Sequence, residues 1–162
     1  MFHPDENGVY ATVSASPVRR VLAYGVVFAL GALVLFTVLS APPSPLWMGL
    51  MLLFGVGALL LAELLRRATT LIIILTESEL RDSSGAVLAQ MDEIKDVDRG
   101  VFAFKPTNGF TLVLDNKKPR SWAPGLWWRI GRRVGVGGVT SAGQTKFMAE
   151  QIAFRIAQRD KN

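Results

Sequence analysis

Residues 21–40, VLAYGVVFALGALVLFTVLS, contain no charged side chain. As a helix rising 1.5 Å per residue, such a run spans about the 30 Å of a bilayer's hydrocarbon. A second run, Trp47 to Leu65, is as apolar, interrupted only by Glu63 near its end. Two segments of this kind need either a large protein core or lipid. In 162 residues that are 50% hydrophobic and only 19% charged, lipid is the expected surrounding. The segment APPSPL between the runs is too short and too rich in proline to hold a helix, so the runs are expected to form a tight antiparallel hairpin.

Flanking cations orient that hairpin. Arg19 and Arg20 precede the first run, Arg66 and Arg67 follow the second, and the connection has none. The positive-inside rule then places both termini in the cytoplasm. A cleaved signal peptide competes for the first run, with Leu39, Ser40 and Ala41 as small-residue cleavage context. The run is longer than a signal core and a second span follows at once, which favours two spans. Glu63 stands three and four residues before Arg66 and Arg67, the spacing of a helical ion pair at the interface rather than of a buried proton relay. Gly25 with Ala29, and Ala58 with Ala62, have the small-xxx-small spacing that lets helices approach closely.

Beyond Arg67 the pattern changes. ATTLIIIL (68–75) is short and β-branched, as a buried strand is. Asp82-Ser83-Ser84-Gly85 is turn chemistry, and AVLAQM follows it as a second strand. EIKDV and VFAFK (101–105) read as further strands, and Pro106-Thr107-Asn108-Gly109 as a hairpin turn into FTLVLD. There Phe110, Leu112 and Leu114 share one side, and a further turn is expected over Asn116–Pro119. Ser141 to Arg159 is amphipathic, with Thr140 or Ser141 as cap and Met148, Ile152 and Ile156 on one face. The division expected is a cytoplasmic tail (1–20), a two-helix transmembrane hairpin (21–67) and an α+β cytoplasmic domain (68–162).

Residues 75–100 carry a resemblance. LTESELRDSSGAVLAQMDEIKDVDRG, with Leu75, Thr76, Glu77, Gly85, Ile94 and Val97, resembles the first half of bacterial pleckstrin-homology-like domains, which often follow a two-helix membrane hairpin. The likeness extends over residues 21–160 through architecture more than through invariant residues. It implies a seven-stranded bent antiparallel sheet capped by a C-terminal helix, beside the membrane. It also implies an adaptor or assembly role without known chemistry. The stretch after Pro119 has no counterpart in that family's pattern.

That stretch, KPRSWAPGLWWRIGRRVGVGG (118–138), mixes cations, tryptophans and glycines without an acid. Nucleic-acid binding is disfavoured, because no binding motif is present and acids balance much of the domain's charge. A phosphate loop is disfavoured too. Gly135-Val136-Gly137-Gly138 lacks the third glycine of the dinucleotide fingerprint, since Ser141 holds that place, and Lys146 precedes Phe147 rather than Ser or Thr. These glycines suit a tight strand-to-helix crossing. Tryptophan and arginine do suit a headgroup layer, where Lys117, Lys118, Arg120, Arg129, Arg132 and Arg133 would each contribute about 1 kcal/mol. The candidate membrane or partner interface is Trp122, Trp127, Trp128, Arg129, Arg132 and Arg133. The competing reading is core packing with a solvated basic face, because Trp127 and Trp128 on one strand cannot both point inward.

No catalytic, cofactor-binding or metal-binding residue is expected. There is no cysteine, and the lone histidine, His3, is remote from any serine that it might activate. Asp92, Glu93, Asp96 and Asp98 are interleaved with Lys95 and Arg99 and read as a solvated strand edge. The function expected is a non-enzymatic adaptor, accessory subunit or assembly factor of a larger complex in the bacterial inner membrane. Its expected partners are the lipid bilayer and other integral membrane proteins. The alternative is a module that recognises anionic phospholipid, and more distantly a small enzyme or transporter subunit.

Overall fold

The computed structural model describes residues 5, 6, 8–98 and 106–159. They fall into two units: the helical hairpin Pro17–Arg67, and a sheet unit made from the residues before and after it.

In the hairpin, α1 (Pro17–Ser40) and α2 (Pro45–Ala68) are both long and apolar enough to cross a membrane. Proline opens each helix, at the position where its missing N–H is no loss. Leu33, Phe36, Leu39, Leu53 and Phe54 are more than half exposed, so this unit turns its large side chains outward. The helices touch through small residues. A Cβ on Gly31 would lie 3.0 Å from the Gly55 carbonyl oxygen and 3.1 Å from the Ala58 Cβ, and one on Gly55 would meet Leu35 at 2.7 Å. Val38 and Ala62 are buried further along. Ala58 therefore serves the close approach that the spacing predicts, and Ala62, one turn on, is buried. Gly25 and Ala29 do not: a Cβ on Gly25 would meet nothing within 4 Å and Ala29 is exposed, because the crossing uses the Gly31 side of α1. Glu63 accepts from Arg66 Nε at 2.7 Å and Arg67 Nε at 2.6 Å, the ion pair read from the sequence.

The sheet unit contains an antiparallel four-stranded sheet in the order β1 (Ala11–Ser14), β2 (Ile72–Leu75), β3 (Glu79–Asp82), β4 (Val87–Gln90). A three-stranded sheet follows in the order β5 (Ile94–Asp98), β6 (Phe110–Ala123), β7 (Trp127–Val136), and α3 (Ala142–Arg159) ends the chain. One core joins both sheets and the helix. Val13, Ile73, Leu75, Leu80, Leu88, Ile94, Phe110, Leu112, Leu114, Val134 and Val136 pack with Met148 and Ile152 of α3. Each such large side chain contributes roughly 1.5–3 kcal/mol by leaving water. Phe110, Leu112 and Leu114 alternate inward as FTLVLD predicts.

The N-terminal segment is the main correction. Residues 1–20 read as a tail, yet Ala11–Ser14 pair with β2 in the register Ala11↔Leu75 to Ser14↔Ile72. The other side of this strand is held as well. Ser16 N donates to Val139 O at 2.8 Å, Ser141 N to Ser14 O at 3.2 Å, and Ser14 N to the Gln144 side-chain oxygen at 3.0 Å. Its inward residues are Ala11 and Val13, too small a signal to announce a strand, and its partner lies beyond the hairpin. Tyr10 adds a stacking surface for the Arg155 guanidinium, 3.5 Å from the ring centroid, while Arg155 Nη1 donates to Thr76 O at 2.7 Å. Burial lowers the pKa of Arg155, Tyr10 and Glu77 acting against it; an arginine stays charged nonetheless.

Two smaller corrections concern strands. β3 was not expected, because Leu80 is the only apolar residue among its four. The turn read at Asn116–Pro119 is a register break within continuous β6: pairing with β7 jumps from Val113↔Arg133 to Lys118↔Gly131, then shifts again before Ser121↔Arg129. The strand expected at 101–105 lies outside the described residues.

Candidate functional site

The outer half of the β6–β7 ladder, residues 118–131, holds most of the basic tryptophan stretch. The register pairs Trp122 with Trp128 and Ala123 with Trp127. Residues directly opposite in an antiparallel pair share a face. Trp127 and Ala123 therefore face the core, 3% and 7% exposed, while Trp122 faces away at 61%.

Trp127 is built in. Its indole N–H donates to Asp82 Oδ2 at 3.1 Å. Asp82 is itself buried, and its Oδ1 accepts from Ser84 Oγ at 2.6 Å, Ser84 N at 2.9 Å and Ala86 N at 3.1 Å. One carboxylate thus organises the β3–β4 turn and anchors the tryptophan. Arg129 is committed too. Its Nε donates to Pro119 O at 2.9 Å and its Nη1 to Val87 O at 2.7 Å and Leu88 O at 3.3 Å, tying the edge of β4 to the ladder. Trp128 is half-buried. Its indole covers Gly135, where a Cβ would overlap the ring, so only glycine fits beneath it.

The sequence-predicted interface is thereby divided. Trp127 and Arg129 belong to the fold, Trp128 supports the outer face, and Trp122, Arg132 and Arg133 are exposed. Ile130, two residues beyond Trp128 on the same strand, is 52% exposed and was missed; alternation from an outward Trp128 was the available signal. Lys117 and Arg120 are also exposed, whereas Lys118 is paired with Glu93 at 2.7 Å. Gly137 and Gly138 make the crossing toward α3, and a Cβ on Gly138 would lie 2.6 Å from the Gly125 carbonyl oxygen.

Elsewhere the chemistry is sparse. Among the described residues no group of acids or histidine is placed to hold a metal ion. Of the acid cluster, Glu93 meets Lys118 and Asp96 Oδ1 accepts from Val97 N at 2.7 Å. An open groove of about 450 Å³ lies between β1 and the start of α3, lined by Tyr10, Thr12, Gln144 and Phe147 among others. Comparison with protein-family models, with curated proteins and with solved structures finds no match for this chain.

Proposed function

We propose that this chain is a non-enzymatic adaptor, an accessory subunit or assembly factor of a larger membrane complex, held in the bacterial inner membrane by its hairpin. In this reading the sheet unit is a pleckstrin-homology-like domain in the cytoplasm. Four strands, then three, then a C-terminal helix support that assignment.

The observation that carries the proposal is where the hairpin is inserted. It interrupts the chain between β1 and β2, which are hydrogen-bonded neighbours. Only Ala15 and Ser16 separate β1 from α1, and only Thr69 to Leu71 separate α2 from β2. At no more than about 3.6 Å per residue, these are short covalent links. A hairpin that leaves and re-enters one sheet crosses the membrane an even number of times. This requirement agrees with the arginine pairs at its two ends, which favour the cytoplasmic side. An anchor fused to a folded surface, with no reacting group required, is what an assembly element needs.

Two experiments test the reading. Gentle solubilisation of native membranes followed by native mass determination is expected to recover the chain with at least one other subunit; recovery only as a free monomer overturns the adaptor role. A reporter fused after Asn162 is expected to be active inside the cell, and activity outside overturns the orientation.

A further inference from the structure

We propose that the outer face of the β6–β7 ladder beds into the anionic headgroup layer of the membrane that holds the hairpin. This rests on the reading of α1 and α2 as spans. Among the described residues beyond the hairpin, Trp122 at 61% and Ile130 at 52% are the most exposed large apolar side chains. The strand register and alternation put them on one face with Trp128. The same two strands carry Lys117, Arg120, Arg132 and Arg133, all exposed, with no acid paired to them among the described residues; of the adjacent arginines, Arg133 shares the outer face and Arg132 flanks it. Asp115 is the exposed acid in this part of β6.

An exposed indole and a branched aliphatic side chain on strands that also carry uncompensated cations fit one kind of surface well. A headgroup layer offers phosphate and shallow hydrocarbon within a few ångströms of each other, where indoles concentrate. A protein partner would have to supply both an apolar pocket and several acids, so the bilayer is the simpler complement.

The inner face of the ladder strengthens the argument. Trp127 on Asp82, and Arg129 on the β4 carbonyls, fix the strands from behind. The outward side chains are thus presented on a rigid support, and little ordering remains to be lost on contact. Tethering supplies the rest. The sheet unit cannot diffuse away from the bilayer, so contacts too weak to recruit a free domain suffice to orient a bound one.

The test uses the full chain, whose lack of cysteine allows single labels. A nitroxide is placed at Ile130→Cys on the ladder, and separately at Leu53→Cys on α2 as a control for the span. The protein is reconstituted in vesicles of phosphatidylcholine, alone or with phosphatidylglycerol as the minority lipid. Collisional access to oxygen and to a water-soluble nickel chelate is then measured. The label at 53 is expected to be lipid-buried in both vesicles. The label at 130 is expected to be shielded from the chelate when phosphatidylglycerol is present, and much less so without it. Replacing Lys117, Arg120, Arg132 and Arg133 by Gln is expected to abolish that shielding, each cation removed lowering the bound-to-free ratio about fivefold. Circular dichroism checks that the variant keeps its fold. If 53 is buried while 130 stays open to the chelate in both vesicles, the proposal is overturned and the anchor stands. Shielding at 130 in native membranes but not in vesicles overturns it in favour of a protein partner. If 53 is open to water, the anchor and the proposal fall together.

Discussion

The two faces of the β6–β7 ladder use the same residue types to opposite ends. On the inner face, Trp127 and Arg129 are bound by the protein: the indole N–H donates to a buried carboxylate, and the guanidinium Nε and Nη1 donate to three backbone carbonyls. On the outer face, Trp122 and Arg133 are exposed with no hydrogen bond or ion pair among the described residues, and the exposed Arg132 next to Arg133 points from the opposite side of the strand. Burial of a tryptophan or an arginine is therefore no property of the residue. It follows from whether a partner group waits where the strand register points it.

That contrast sets the order of expected effects. Trp127→Ala should be the most damaging, about 3–5 kcal/mol, because it leaves a cavity and strips Asp82 of a donor. Thermal unfolding of the full chain in detergent, followed by circular dichroism, measures it; a loss under about 1 kcal/mol would mean that the inner face does not hold the ladder. Arg129→Ala should follow, at about 1.5–3 kcal/mol, since it breaks charge-assisted bonds between β4 and the ladder. Charge alone should not rescue the site, so Arg129→Lys is expected to recover only part of the loss in the same assay. Gly135→Ala, which drives a methyl group into the Trp128 ring, should cost about 1–3 kcal/mol. Its near-ultraviolet spectrum should change as the indole moves. Trp122→Ala closes the series, with an unfolding change within about 0.5 kcal/mol. A large destabilisation there would erase the distinction between the two faces.

Much of this architecture was legible in the sequence, and the limits are instructive. The helices of the hairpin and α3 announce themselves through long, uniform patterns. The Glu63 ion pair needs only helical spacing, and the alternation of Phe110, Leu112 and Leu114 fixes a face without knowledge of the partner strand. The choice between Trp127 and Trp128 was visible as a choice, but the answer needed the turn between β6 and β7 to set the register. β1 and β3 were not legible, because four residues with one or two apolar positions carry little periodic signal. Arg129 was misplaced for a different reason. Two of its three acceptors are carbonyls some forty residues earlier in the chain, and no local pattern encodes a backbone acceptor. Gly25 and Ala29 show the converse: a spacing can be present and unused when the helices cross on another side.

The pairing of β1 with β2 has a consequence for biogenesis. A ribosome delivers Ala11–Ser14 first, then both long apolar helices, and only afterwards Ile72–Leu75. The earliest strand must therefore wait, unmatched, while its neighbour is still unmade. Closure of the sheet thus waits on the whole hairpin: a chain cut off before Ile72 keeps its first strand without a mate on that side and leaves a sheet edge open.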